Sequence, residues 1–339
     1  MSDYSSLMLR YWYSNQPSRW LLTPLSGLFQ LAVKIRQWAY TQGLLHTQIF
    51  PLPVLVIGNL TLGGTGKTPL VIWLAQFLRQ HGYRPGLISR GYGGHAQNYP
   101  QRVYPDSDPH LVGDEAVLLA RRTGCPLVVG PDRVAASHAL LAHFDCNVLL
   151  SDDGLQHYAL GRDIEILVVD GIRRFGNAHC LPAGPLREPL SRLRTVDLVV
   201  TNGGTPQGGE FTMHSQLQDA CHIKDGTLRP LKKFRHAKPH SVAGIGNPER
   251  FFSQLRALEL TVQPHPFPDH YGFQSEDLAF ADRQPVLMTE KDAVKCTRFA
   301  RDNYWYVPMD VSLPASFGAH VLSLLQQAAK KKLNIETTG

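Results

Sequence analysis

Cysteine is scarce in this 339-residue chain: Cys125, Cys146, Cys180, Cys221 and Cys296 are widely spaced, odd in number and include no C-x-x-C pair. That arrangement excludes a disulfide framework and a structural zinc site, and it predicts a reducing, cytoplasmic compartment. Cys146 opens an apolar run and reads as a small core residue rather than a nucleophile. Charged residues make up only 18% against 43% hydrophobic ones, and low-complexity tracts and internal repeats are missing. Disorder is thereby excluded and a sizeable core is expected, in one large α/β domain or two modest ones. The formal net charge of +6 points to anionic partners, but no helix-turn-helix, zinc or RNP-type pattern supports nucleic acid among them.

Long apolar runs are lacking as well. Residues 20–33, flanked by Arg19, Lys34 and Arg36, would reach about 21 Å as a helix against a hydrocarbon core of about 30 Å. Pro24, Ser26, Gly27 and Gln30 interrupt the run, so no membrane span is predicted, and without a small-residue cleavage site no cleaved secretory signal either. Leu21, Leu25, Leu28, Ala32, Ile35 and Ala39 fall on one helical face, with Leu31 and Trp38 beside it and Gln30, Lys34, Gln37 and Thr41 opposite. A helix lying in a membrane interface and a helix packed on its own core both fit that pattern.

What is present is an alternation of short apolar runs and helical periodicities. Residues 53–57, 85–89, 126–129, 147–150, 164–169 and 198–201 read as strands, and 67–79, 114–122 and 133–143 as helices. Such alternation implies right-handed crossovers and a mostly parallel sheet covered on both faces. Residues 203–239 are polar and basic around Lys232, Lys233, Arg235 and Lys238, which places a junction there. A second α/β portion follows, with strands near 241–244, 285–288 and 305–307 and a terminal helix over 318–332. Lys330, Lys331 and Lys332 read as the solvated, dipole-compatible end of that helix.

The strongest chemical signal is G-N-L-T-L-G-G-T-G-K-T at residues 58–68, where a predicted strand gives way to a helix. Gly63, Gly64 and Gly66 let backbone N–H groups turn inward around phosphate oxygens. Lys67 reaches the β- and γ-phosphates, and Thr68 can ligate Mg²⁺. Thr61 stands where the G-x-x-x-x-G-K-[ST] pattern has its first Gly. Downstream, N-V-L-L-S-D-D-G-L-Q-H at 147–157 sets Asp152 and Asp153 just past an apolar strand, where a nucleotide-binding sheet holds its metal. Asp170 ends another strand and reads as an ordinary turn residue. No N-K-x-D segment follows a later strand, which favours ATP over GTP.

These motifs occur with S-R-G-Y-G-G at 89–94, V-G-D-E-A at 112–116, G-P-D-R at 130–133, L-P-A-G-P-L-R-E-P at 181–189, F-P-D-H-Y-G-F at 267–273 and T-E-K-D-A-V-K at 289–295. Together they closely resemble the tetraacyldisaccharide 4'-kinases of lipid A biosynthesis, over nearly the whole chain. Within that family the loop resembles G-N-L-T-x-G-G-T-G-K-T, so Thr61 is no departure. The resemblance implies an α/β fold: a P-loop NTPase-like, mostly parallel sheet flanked by helices at 46–225, a smaller α/β domain at 226–339 completing the substrate cleft, and an N-terminal membrane-associating helix within 1–45. It implies ATP and Mg²⁺ as cofactors, a lipid disaccharide 1-phosphate as substrate, and a peripheral or monotopic place on the anionic cytoplasmic face of the bacterial inner membrane. It calls for neither nucleic acid nor an obligatory protein partner.

Carried over residue by residue, the resemblance makes Gly63, Gly64, Thr65, Gly66, Lys67 and Thr68 the ATP cradle, with Thr68, Asp152 and Asp153 near the metal. Asp114 becomes the base on the sugar hydroxyl, supported by His270, while Arg133, His157 and Arg187 lie near the phosphates or the substrate. The residues by themselves leave Asp114 open as a helix N-cap and His270 as a surface loop histidine. A membrane-associated ATPase switch shares the phosphate loop; a kinase additionally needs the acceptor base and pocket.

Overall fold

The computed structural model describes residues 12, 13 and 22–336, so Arg19, Trp20 and Leu21 lie outside the described residues. In chain order the elements are α1 (Thr23–Thr41), β1 (Val54–Gly58), α2 (Lys67–Gln80), β2 (Pro85–Ser89), β3 (Gln101–Val103), α3 (Asp114–Thr123), β4 (Leu127–Val129) and α4 (Arg133–Leu141). Then come β5 (Val148–Asp152), β6 (Ile164–Asp170), β7 (Leu198–Asn202), β8 (Phe211–Leu217), β9 (Ala220–His222), β10 (Leu228–Arg229), β11 (His240–Ala243) and α5 (Pro248–Ala257). The chain closes with β12 (Gln263–Pro266), β13 (Val286–Thr289), α6 (Glu290–Cys296), β14 (Tyr304–Val307), β15 (Met309–Ser312) and α7 (Ala315–Glu336).

Two sheets result. The larger runs β15-β8-β7-β6-β1-β5-β2-β4-β3, parallel from β8 to β4 and antiparallel only at its two edges. Its central strands are buried on both faces: β1 (VLVIG) and β6 (IEILVVD) carry no exposed residue, as parallel strands covered by helices must. The strand order reverses around β1, which pairs with β5 on one side and β6 on the other. A crevice therefore opens beyond the carboxyl ends of these strands, where the phosphate loop begins. The smaller sheet, β10-β9-β14-β13-β11-β12, brings its own parallel strand ends, those of β11 and β13, to the same cleft.

Three local expectations change. Residues 203–239, expected as a polar junction, hold β8, β9 and β10, and β8 belongs to the larger sheet. Near the sheet edge it alternates half-exposed polar positions with a buried Met213, a weak version of the strand signal. The terminal helix α7 does not stay with the second sheet, because Phe317, Val321 and Leu325 join the core of the first together with Leu70 and Leu74. Lys332, expected in solvent, is 8% exposed. Its ammonium lies 3.1 Å from Asp163 Oδ2 and donates to the Phe50 carbonyl at 2.9 Å, pinning the helix end to the body.

Helix α1 rests on the body through its polar side. Ser26 Oγ donates to the Cys180 carbonyl at 2.7 Å, and Gln37 Nε2 donates to the Tyr158 hydroxyl at 2.7 Å. Leu25, Leu28, Leu31, Ile35 and Trp38 point outward, Leu28 being 64% and Ile35 55% exposed. Among the described residues no helix is long and apolar enough to cross a membrane.

Candidate active site

The loop after β1 turns on glycines. Gly66, at φ +94°, is the left-handed cap from which α2 starts. A Cβ there would meet Asn202 Nδ2 at 2.1 Å, and that amide donates to the Thr65 carbonyl at 3.0 Å, so the turn admits no side chain. Lys67 opens the helix, its ammonium donating to Asn59 Oδ1 at 3.0 Å and lying 3.3 Å from Asp153 Oδ1. Thr65 is buried with its hydroxyl unpartnered, whereas Gly64, Gly66 and Thr68 line the cleft. Asp170 is more than a turn residue: buried at 5% exposure, it accepts from the Ile172 and Arg173 amides and pairs with the Arg173 guanidinium at 2.9 Å. Arg173 in turn donates to the Gly64 carbonyl at 2.5 Å, bracing the loop from outside.

The two aspartates after β5 have different surroundings. Asp153, at φ +50°, is gripped by Lys67 and by Arg187, whose Nη1 lies 3.1 Å from both carboxylate oxygens. Burial works to raise its pKa, but the two cations outweigh it and hold the carboxyl at about 2. Asp152 is fully enclosed; burial and the nearby Glu115 charge push it up to about 7, and its Oδ1 has no hydrogen-bond partner. An oxygen in that condition fits a hard cation that takes one or two carboxylates together with substrate phosphates. Among the described residues no cluster of three metal-ligating side chains exists.

Arg133 and His157 stand behind this pair. Arg133 is buried and donates to the backbone carbonyls of Pro131 and Asp153 at 3.0 and 3.2 Å. Its amide donates to His157 Nε2 at 3.3 Å, and burial with the Arg133 charge lowers the imidazole to about 4, leaving it neutral.

Asp114 and His270 meet across the sheets. Gly113, at φ +92° where a Cβ would strike the Tyr92 carbonyl at 2.6 Å, is the cap of α3, and Asp114 is the first helical residue, 4% exposed. Its Oδ1 accepts from the Glu115 amide at 2.8 Å and lies 3.0 Å from His270 Nδ1. Its Oδ2 has no hydrogen-bond partner and is 3.4 Å from the Lys295 ammonium. Burial acts to raise the Asp114 pKa; the His270 hydrogen bond and the Lys291 and Lys295 charges override it and hold the carboxyl well below the usual range, so it is ionised. His270 sits at φ +58° with its ring 4.7 Å from that of Tyr92. Beside the pair, a cleft is walled by the phosphate loop on one side and by Gly246, Asp269 and Lys291 on the other, its inner end apolar with Ile245, Phe251, Val307 and Met309. Ionised carboxylate, ordered imidazole and phosphate loop together form an arrangement suited to phosphoryl transfer onto a hydroxyl.

The model of the family LpxK, tetraacyldisaccharide-1-P 4'-kinase, matches residues 18–326. The chain belongs to this family. It is similar to the tetraacyldisaccharide 4'-kinase of Nitrosococcus oceani, 94% identical over 339 residues and the whole of both chains. It is 48% identical to that of Methylobacillus flagellatus, over 98% of this chain and 99% of the other. A crystal structure described as the "apo" form of LpxK from Aquifex aeolicus in complex with ATP superposes with a TM-score of 0.77 at 27% identity, covering 91% of this chain and 99% of that one.

Set against this tetraacyldisaccharide 4'-kinase family, the structure gathers Lys67, Asp152, Asp153, Arg187, Arg133 and His157 at the carboxyl ends of β1 and β5, while Asp114 and His270 line a neighbouring cavity with Gly93, Lys295 and Arg298. It gives Arg133 backbone partners rather than an open guanidinium. Sequence reasoning missed Asn202, Arg173, Glu115, Asp269 and Lys291. V-G-D-E-A contained Glu115, F-P-D-H-Y-G-F contained Asp269 and T-E-K-D at a strand end contained Lys291, and the D-x-x-R spacing of Asp170 and Arg173 was a further visible signal.

Proposed function

We propose that the chain is an ATP-dependent kinase that phosphorylates the 4'-hydroxyl of a tetraacylated glucosamine disaccharide 1-phosphate, the step that forms the 4'-phosphate in lipid A biosynthesis. The observation that carries the reading is the 3.0 Å meeting of Asp114 and His270 beside the phosphate-loop cleft, in a chain of this family. In this reading the triphosphate lies along residues 63–68, with Lys67 exchanging its Asp153 contact for the β- and γ-phosphates. The nucleobase occupies the apolar inner end of the cleft. Thr68 and Asp152 would hold Mg²⁺, which would neutralise charge on the phosphates; Asp153, already paired with Arg187, keeps the loop poised. Asp114 takes the hydroxyl proton on Oδ2 as the new P–O bond forms, and His270 orients its carboxylate. Residues 63–68 and the second sheet then form the two walls of one kinase unit.

The outward face of α1, with Leu25, Leu28, Leu31, Ile35 and Trp38, lies on the anionic cytoplasmic surface of the inner membrane, where an acylated substrate resides. An ATPase switch needs only a positioned water and leaves the Asp114–His270 pair without a role. The test is transfer of label from [γ-³²P]ATP into the tetraacylated disaccharide 1-phosphate presented in mixed micelles. The reading expects one labelled phosphate per acceptor, and ATP hydrolysis that leaves the lipid unlabelled contradicts it.

A further inference from the structure

Lys291, the second residue of α6, carries an ammonium whose side chain is 13% exposed at the cleft wall. It has three acceptors: Glu115 Oε1 at 2.9 Å, Asp269 Oδ1 at 3.1 Å and His270 Nε2 at 3.2 Å. An ammonium has three N–H groups and no lone pair, so each acceptor takes one and the group is fixed in rotation. Two of the acceptors adjoin the members of the dyad in sequence, Glu115 following Asp114 and Asp269 preceding His270. The third is the dyad's own imidazole.

The donor arithmetic assigns the proton. Because Lys291 can only donate, His270 Nε2 must accept, which leaves the single proton of the neutral ring on Nδ1, 3.0 Å from Asp114 Oδ1. In the opposite tautomer an N–H on Nε2 would face the ammonium at 3.2 Å and a bare Nδ1 would face a carboxylate, two repulsive contacts in place of two hydrogen bonds. We infer that Lys291 is a positioning residue for this kinase: it locks the His270 proton onto the face that holds Asp114, and it ties the helix carrying the base to the loop carrying the imidazole. The inference rests on the dyad reading above and extends it to a residue that acts through the pair, its ammonium held by Glu115, Asp269 and His270.

The charged and titratable groups facing His270 are Asp114 from α3, Asp269 from its own loop, Lys291 from α6 and the Tyr92 ring, with Glu115 and Lys295 one contact further out. Burial and the Lys291 charge pull the imidazole pKa down, the Asp114 hydrogen bond pushes it up, and the net is upward. Removing the ammonium therefore raises it further, so the imidazolium persists to higher pH and activity that requires the neutral ring is lost earlier on acidification.

The experiment compares full-length wild type, Lys291→Met and Lys291→Arg in kcat, KM for ATP, the pH profile of kcat/KM, and the ¹⁵N shifts of labelled histidine, with His270→Ala alongside. Expected for Lys291→Met are a fall in kcat of about tenfold or more, a KM for ATP within about threefold, an acidic limb moved to higher pH, and a His270 imidazolium signal that persists to the same higher pH while Asp114 still holds Nδ1–H. Lys291→Arg, which keeps a cationic donor, returns the acidic limb toward its wild-type position and restores part of the rate. If Lys291→Met does not fold, Lys291→Gln, neutral but still a donor, replaces it: the acidic limb shifts and the tautomer stays. Unchanged turnover in the Lys291 variant while His270→Ala is impaired overturns this inference alone, as does lost turnover with the acidic limb and the imidazolium signal unmoved. Unimpaired turnover in both variants overturns the dyad reading itself.

Discussion

A double-mutant cycle on Asp114 and His270 examines the acceptor chemistry most closely. Asp114 is buried, ionised and 3.0 Å from an imidazole contributed by the other sheet, 156 residues away in sequence. General-base catalysis is worth about 10² to 10⁴ in rate, or about 2.7–5.5 kcal/mol of transition-state stabilisation. Asp114→Asn, which preserves shape while removing the proton acceptor, is therefore expected to lower kcat by about that factor. His270 acts through Asp114, so His270→Ala should cost less, about 10–10²-fold. Once the carboxylate is gone the imidazole has nothing to orient, and the double variant should be barely worse than Asp114→Asn. The implied coupling is about 1.4–2.7 kcal/mol, the whole of the His270 effect. Neither side chain touches the phosphate loop, and the KM for ATP should stay within about threefold. The pH profile adds a sign: the Asp114 pKa lies below the usual range and that of His270 above it. The acidic limb then belongs to His270, with activity falling as pH drops through its raised pKa, and it should disappear in His270→Ala. Steady-state kinetics on the four proteins, with thermal unfolding as a check on folding, decide the matter. Multiplicative losses or undiminished phosphorylation by Asp114→Asn refute the reasoning.

Lys67→Ala should reduce kcat by at least about 10² while leaving the melting temperature close to wild type, because its partner Asp153 keeps the Arg187 contact; wild-type turnover would remove the phosphate-loop assignment. Leu28→Glu with Ile35→Glu places two charges on the outward face of α1 and should abolish sedimentation with anionic vesicles without lowering stability; a stability loss instead would mean that the face is packed in solution. Lys332→Met leaves half-buried Asp163 with the Val54 amide as its remaining donor among the described residues and should destabilise the protein by about 2 kcal/mol in urea unfolding, whereas an unchanged midpoint would show that the ion pair contributes nothing net.

Most of the larger sheet was legible in the sequence because its central strands are buried on both faces and punctuated by glycine, proline and helix caps. Asp132, for example, caps α4 by accepting from the Val134 and Ala135 amides. The phosphate loop was legible for the same local reason. Contacts between distant segments were not. Asp114 and His270 had no periodicity linking them and were joined only through family resemblance. The docking of α7 on the first sheet was invisible, since Phe317, Val321 and Leu325 announce an apolar face without naming its partner. Lys332 and Lys291 illustrate the same gap: a lysine reads as solvated until the acids that bury it, Asp163 in one case and Glu115 with Asp269 in the other, are brought alongside by the fold.

The account holds that the γ-phosphoryl group passes directly from ATP to a hydroxyl held against Asp114, with that carboxylate serving as base and never as nucleophile. The stereochemical course at phosphorus tests this most directly. With ATP made chiral at the γ-position by sulfur and an oxygen isotope, a single in-line displacement predicts inversion in the 4'-thiophosphorylated product. Retention would require two displacements through a phosphorylated side chain and would contradict the account.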